Sequence, residues 1–109
     1  MNYNVIALPK FRKELKQLAK KYASLKNEIA ILFDNLEKDP IQGNPIGQNC
    51  YKIRLAIASK GRGKSGGARI ITNIVVTDNT VYLLSIYDKS DKETLTDKEL
   101  RELLNEIPL

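Results

Sequence analysis

The sequence predicts an α+β fold, with a helical hairpin laid against an antiparallel sheet, and three observations predict it. Apolar residues recur with a helical period between Pro9 and Pro40. Three β-like runs, CYKIRLAIA, ARIITNIVVT and TVYLLSIYD, then follow one another with no helical pattern between them. A capping-box signature, Thr96-Asp97-Lys98-Glu99, opens one last helix near the end. The chain has 109 residues, 42% apolar and 28% charged, which suits a globular domain with one core, so a single domain over residues 1–109 is expected.

Taken in order, Asn2 to Ala7 alternates weakly and reads as a short strand. Pro9 suits the first position of a helix, where its missing N–H costs nothing. Phe11, Leu15, Leu18 and Tyr22 then mark one apolar helical face, with most of the nearby lysines off it. Ser24 is placed to cap a second helix whose stripe is Leu25, Ile29, Leu32, Phe33 and Leu36. Asp39-Pro40 stops it, because a residue preceding proline is pushed out of helical geometry. Helices joined by so few residues lie antiparallel. Residues 40–49, PIQGNPIGQN, read as a loop. In the first β-run Ile53, Leu55 and Ile57 alternate with Lys52 and Arg54, and Asp78-Asn79 supplies a tight turn between the second and third runs. The expected order is β-α-α-β-β-β-α, with the first strand joining the sheet at an edge.

Composition narrows the function. No apolar run is long enough to span a membrane, and no small-residue cleavage site follows an apolar stretch at the N-terminus. Cys50 is the sole cysteine, so neither an intramolecular disulfide nor a zinc-ligand set is expected, and a buried, inert thiol fits it. A cytoplasmic protein with no membrane association is the expectation. The formal charge is +5, and it is unevenly placed. From Pro40 through Thr77 there is no Asp or Glu, while Lys52, Arg54, Lys60, Arg62, Lys64 and Arg69 all fall there. From Asp78 onward eight carboxylates face Lys89, Lys92, Lys98 and Arg101. The uncompensated positive segment favours a polyanionic partner such as nucleic acid or an acidic protein.

Within that segment KGRGKSGGAR, Lys60 to Arg69, contains the letters GKS. A phosphate-binding P-loop needs G-x-x-x-x-G-K-[ST] after a strand and before a helix. Counting back from Gly63, the first glycine falls at Ala58, and the residues after the loop are strand-like. Spacing and context both fail, so the stretch is read as a basic hairpin loop whose glycines are structural. It would deliver Arg69 to a sheet face that alternation already gives to Lys52 and Arg54.

NCYKIRLA, KGRGKSGGARII and VYLLSIYDKSDKETLTDKEL together resemble RelE/ParE-superfamily toxins of bacterial toxin–antitoxin systems, nearest the HigB/RelE-type branch. The resemblance covers nearly the whole chain. It implies a RelE-like, microbial-RNase-like fold with two N-terminal helices against a twisted antiparallel sheet. It further implies an endoribonuclease that cuts mRNA at the ribosomal A site without metal or other cofactor and is neutralised by a cognate antitoxin, through which the complex would bind operator DNA. A ParE-like inhibitor of DNA gyrase and a non-catalytic RNA-binding module share the same resemblance and stay open.

Metal-free RNA cleavage uses the neighbouring 2′-hydroxyl as nucleophile, and it needs a base, cations on the developing phosphorane and an acid for the leaving 5′-oxygen. The chain has no histidine, so Lys, Tyr and the carboxylates are the proton carriers left and Arg the charge stabiliser. A lysine crowded by like charges is one route to a base. By the resemblance, Lys52 and Arg54 match paired basic residues on the second strand of the family, Arg69 an arginine that contacts the scissile phosphate, and Lys89 a further basic residue. The downstream tyrosine of well-known members falls near Leu95, and Tyr87, two residues from Lys89, is the candidate substitute. Arg69 and Lys89 are expected on the phosphorane, with Lys52 or Tyr87 moving protons. Lys60, Arg62 and Lys64 in the loop, and Lys13, Lys16 and Lys20 on the first helix, are read as contacts to ribosomal RNA or the mRNA backbone.

Overall fold

The computed structural model describes residues 2–61, 66–91 and 95–108. Strand β1 (Asn4–Ala7) leads into helices α1 (Pro9–Lys21) and α2 (Leu25–Lys38). Strands β2 (Asn44–Gly47), β3 (Cys50–Leu55), β4 (Ala68–Val75) and β5 (Thr80–Asp88) follow, and helix α3 (Asp97–Leu104) comes last. They form one five-stranded sheet in the order β1-β5-β4-β3-β2. Neighbours from β2 to β5 run antiparallel, while β1 pairs parallel with β5, so the sheet is mixed and β1 sits at an edge as expected.

Residues 44–47, expected in a loop, form an edge strand instead. Gly47 pairs with Cys50 across Gln48 and Asn49, both left-handed with φ of 54° and 61°. Two successive positive φ values make the tight turn that matches strand twist, and this pair lacks the glycine that usually announces it. Pro45 is tolerated because an edge strand needs no donor on its outer side. At the other hairpin Val75 pairs with Thr80, and a 3₁₀ turn over Val76–Asp78 plus a left-handed Asn79 closes it.

The sheet is covered on both faces, which makes β4 and β5 the central, most buried strands. One face packs on the helical hairpin through Phe11, Leu25, Leu32, Leu36, Ile70 and Ile86. The stripe read from the sequence supplies this core, although Phe33 lies at its margin. The other face carries Cys50, Ile71, Tyr82 and Leu84 beneath Leu100, Leu103 and Ile107 of the C-terminal segment. Thr96 and Glu99 close the anticipated capping box, satisfying two otherwise orphaned N–H groups at the start of α3. Ser24 departs from expectation. Its hydroxyl makes no bond to the amides of α2, and accepts instead from the Ser59 N–H at 2.9 Å. The Ala58 N–H donates to Glu28 Oε2 at 2.7 Å, so the start of α2 fastens the turn that begins the glycine-rich loop.

Candidate functional site

Strand register builds the site. In β3 the side chain of Ile53 enters the hairpin core, so alternation turns its neighbours Lys52 and Arg54 to the opposite face. Arg54 pairs with Arg69 on β4, and Arg69 pairs with Tyr87 on β5. Residues directly opposite in an antiparallel ladder share a face, so Arg54, Arg69 and Tyr87 form a row across three strands, with Lys52 one pleat away. A bulge is required for this. The β4–β5 pairing passes from Ile71–Ser85 to Thr72–Leu83, leaving Leu84 as an extra residue. That extra residue lets Leu83 and Ile86 face the hairpin while Leu84 and Tyr87 face α3.

The row is graded in exposure. Arg54 is open to solvent and Lys52 half-buried. Arg69 is only 4% exposed, and its Nη1 donates to the Ala68 carbonyl at 3.1 Å. Tyr87 is 7% exposed, within the small core beneath α3. Its buried hydroxyl has no hydrogen-bond partner among the described residues. Burial raises the phenol above its ordinary pKa, Arg69 opposes that rise, and Glu99 adds to it. The result is a group that keeps its proton at neutral pH and can only donate it. A cavity of about 180 Å³ beside Tyr87 is lined by Glu14, Glu99, Glu102 and Glu106, with Lys10 the one cation among the described residues. Carboxylates make that side unfavourable for phosphate, whereas Arg54 opens the other end of the row to solvent.

The remaining expected residues divide. Lys89 lies in the turn just past β5, yet its N–H reaches the Gly67 carbonyl at 3.1 Å, continuing the Arg69–Tyr87 register past Ala68–Asp88, two residues on. Lys13, Lys16 and Lys20 are exposed along one side of α1, the helix packed on the other face of the sheet, so they do not join the row. Arg62 and Lys64 lie outside the described residues. The strand expected after the glycine-rich loop is present as β4.

Lys60 has partners that the sequence did not suggest. It was expected to meet RNA phosphates, and its ammonium instead bonds Asp88 Oδ1 at 2.5 Å and Ser90 Oγ at 2.8 Å, 5.6 Å from the Tyr22 ring centroid. Asp88 also accepts from the Tyr22 hydroxyl at 2.6 Å and the Ser90 N–H at 2.9 Å. Burial alone would raise this carboxyl. The bonds from Lys60, Tyr22 and Ser90 outweigh burial and hold it far below the ordinary carboxylate range. Asp88 closes a run of apolar strand residues, and nothing local in the sequence connects it to a lysine 28 positions earlier. Among the described residues, no three His, Cys, Asp or Glu side chains gather as a metal would need.

The architecture is shared with solved proteins. A mutant of the E. coli toxin RelE in the free state superposes with a TM-score of 0.65 at 17% identity, covering 99% of this chain and 100% of that one. The isolated E. coli RelE toxin gives 0.58 at 17% identity, with 96% and 99% covered. The toxin–antitoxin complex RelBE2 from Mycobacterium tuberculosis gives 0.60 at 21% identity over 81% of this chain and 99% of that one. At these identities the likeness is one of fold. The sequence profile described as RelE toxin of the RelE / RelB toxin–antitoxin system matches residues 10–106, and on that ground the chain belongs to the RelE toxin family.

Proposed function

We propose that this RelE-family toxin is a ribosome-dependent mRNA endoribonuclease that blocks translation in the cytoplasm until a cognate antitoxin binds it. The observation that carries this reading is the cross-strand row Arg54, Arg69 and Tyr87, flanked by Lys52 and continued in register by Lys89. Cations packed on one face of a rigid sheet are preorganised for a phosphorane, whose negative charge grows in the transition state. The 2′-hydroxyl attacks the adjacent phosphorus, its proton passes to a base for which Lys52 is the candidate, and the 5′-oxygen leaves. Tyr87, which retains its proton, donates to that oxygen. The products are a 2′,3′-cyclic phosphate and a 5′-hydroxyl end. Arg69 and Lys89 neutralise the phosphorane, and Arg54 at the open end of the row guides the strand in. The exposed lysines of α1 contact ribosomal RNA on a different side of the molecule. The antitoxin, present with the toxin in the mycobacterial RelBE2 complex, is the neutralising partner and the part of the complex that holds operator DNA.

The test is purified toxin added to ribosomes translating a defined mRNA, with primer extension to map cuts. The expected result is cleavage within codons that depends on ribosomes. Arg69→Ala should lower it by 10²-fold or more, as removal of a preorganised charge-stabilising donor does. Intact mRNA alongside gyrase-dependent DNA breaks would give the protein a different target, and full activity in Arg69→Ala would refute the site.

A further inference from the structure

We infer that Asp88 and Lys60 form a positioning clamp that sets the active row, an inference that rests on the nuclease reading for its chemistry though not for its geometry. Asp88 is the residue between Tyr87 and Lys89, and it is 1% exposed. Its carboxylate collects Lys60, Tyr22 and the Ser90 N–H, so three separate segments meet on one buried anion: the end of α1, the start of the glycine-rich loop and the end of β5. Side chains alternate along a strand, so Asp88 points toward the hairpin layer while Tyr87 points to the α3 layer. Fixing Asp88 therefore fixes the peptide units on either side of it, which carry Tyr87 and Lys89.

The same clamp holds the loop that leads to Arg69. Ala58 and Ser59 are bound by Glu28 and Ser24, and Lys60 by Asp88. At the far end a Cβ on Gly67 would lie 2.0 Å from the Leu55 carbonyl oxygen, so this backbone sits directly on β3. Its own carbonyl takes the Lys89 N–H. The loop is thus gripped at both stems, one of them by an ion pair whose anion lies inside the strand bearing Tyr87. Buried ion pairs are weak sources of net stability and can often be replaced by uncharged groups with little loss. Their attested value is in specifying one arrangement, which is the role assigned to this pair.

The decisive variant is the double substitution Lys60→Met with Asp88→Asn, which removes both charges together and leaves no lone buried ion. It should melt within a few degrees of wild type and bind antitoxin normally. Cleavage should fall at least tenfold at saturating ribosomes, with the half-saturating ribosome concentration unchanged within about twofold. Lys60→Arg, which keeps the cation, should hold most of the wild-type rate. Amide hydrogen exchange supplies a readout independent of activity. Protection of the Lys89 N–H should drop at least tenfold in the double variant, while that of Ile70 and Ile86 stays as in wild type. Unchanged protection at Lys89 overturns the clamp whether or not the toxin proves to be a nuclease. Loss of protection with wild-type cleavage overturns its link to the active row. A wild-type protein that leaves mRNA intact refutes the nuclease reading alone, and the exchange result still decides the clamp.

Discussion

Tyr87 carries the sharpest conflict between folding and function. A hydroxyl buried without a hydrogen-bond partner costs roughly 1–3 kcal/mol, because it gives up water and gains nothing in return. Tyr87→Phe should therefore leave the thermal midpoint unchanged or raise it. If the hydroxyl donates to the leaving oxygen, the same change should lower the cleavage rate by about 10² or more, the usual contribution of a general acid. Loss of activity with equal or greater stability separates a chemical role from a packing one, and unchanged cleavage would remove Tyr87 from the mechanism. The pH dependence has a definite sign. With its pKa raised above 10.0, the phenol remains a competent donor as pH rises from 6 to 9, so any fall in rate within that span belongs to another group. The sequence had already brought Tyr87 and Lys89 together by spacing. It could not show that Tyr87 would lie largely buried beneath α3, since that depends on a bulge at Leu84 invisible in a continuous apolar run.

At the level of elements, local chemistry was readable and long-range chemistry was not. The capping box at Thr96, the proline at the start of α1 and the apolar stripe of α2 each act within a few residues, and they stand as read apart from the marginal Phe33. Ser24 has the chemistry of a cap, but a competing partner 35 residues away takes its hydroxyl. Lys60 was grouped with the loop cations by proximity in sequence, while its actual partner lies in β5. Strand β2 was missed because a Gln-Asn pair makes its turn and a proline lies within it. The α3 helix offers a direct test of how much its cap matters to the site. Thr96→Ala should cost about 1 kcal/mol by urea titration, since one N–H loses its acceptor. Because α3 covers Tyr87, that loss should also speed hydrogen exchange in residues 97–104 ahead of the central strands. Equal exchange across the molecule would mean that α3 opens only with global unfolding.

Across the whole molecule, charge is divided between layers in a way that its total conceals. The chain carries +5, yet the cavity beside Tyr87 is acidic and the open cations lie elsewhere. Lys13, Lys16 and Lys20 line the outside of α1, and Arg54 with Lys52 opens onto the opposite side of the sheet. On the proposed reading a ribosome would be engaged at these two separated patches, while the Lys60 ammonium is paired with Asp88. If those five side chains each meet one phosphate of single-stranded character, the log–log dependence of affinity on salt should have a slope of about −3.5. Binding of the toxin to ribosomes, measured between 50 and 200 mM monovalent salt, tests this. The triple change of the α1 lysines to glutamine should make the slope shallower by about 2, leaving the cleavage rate at saturating ribosomes intact. Arg54→Gln should shift it by less than 1 and, if the proposed row is the active one, lower the cleavage rate as well. A slope that the α1 substitutions do not change would confine the ribosome contact to the sheet face and leave the first helix free for another partner.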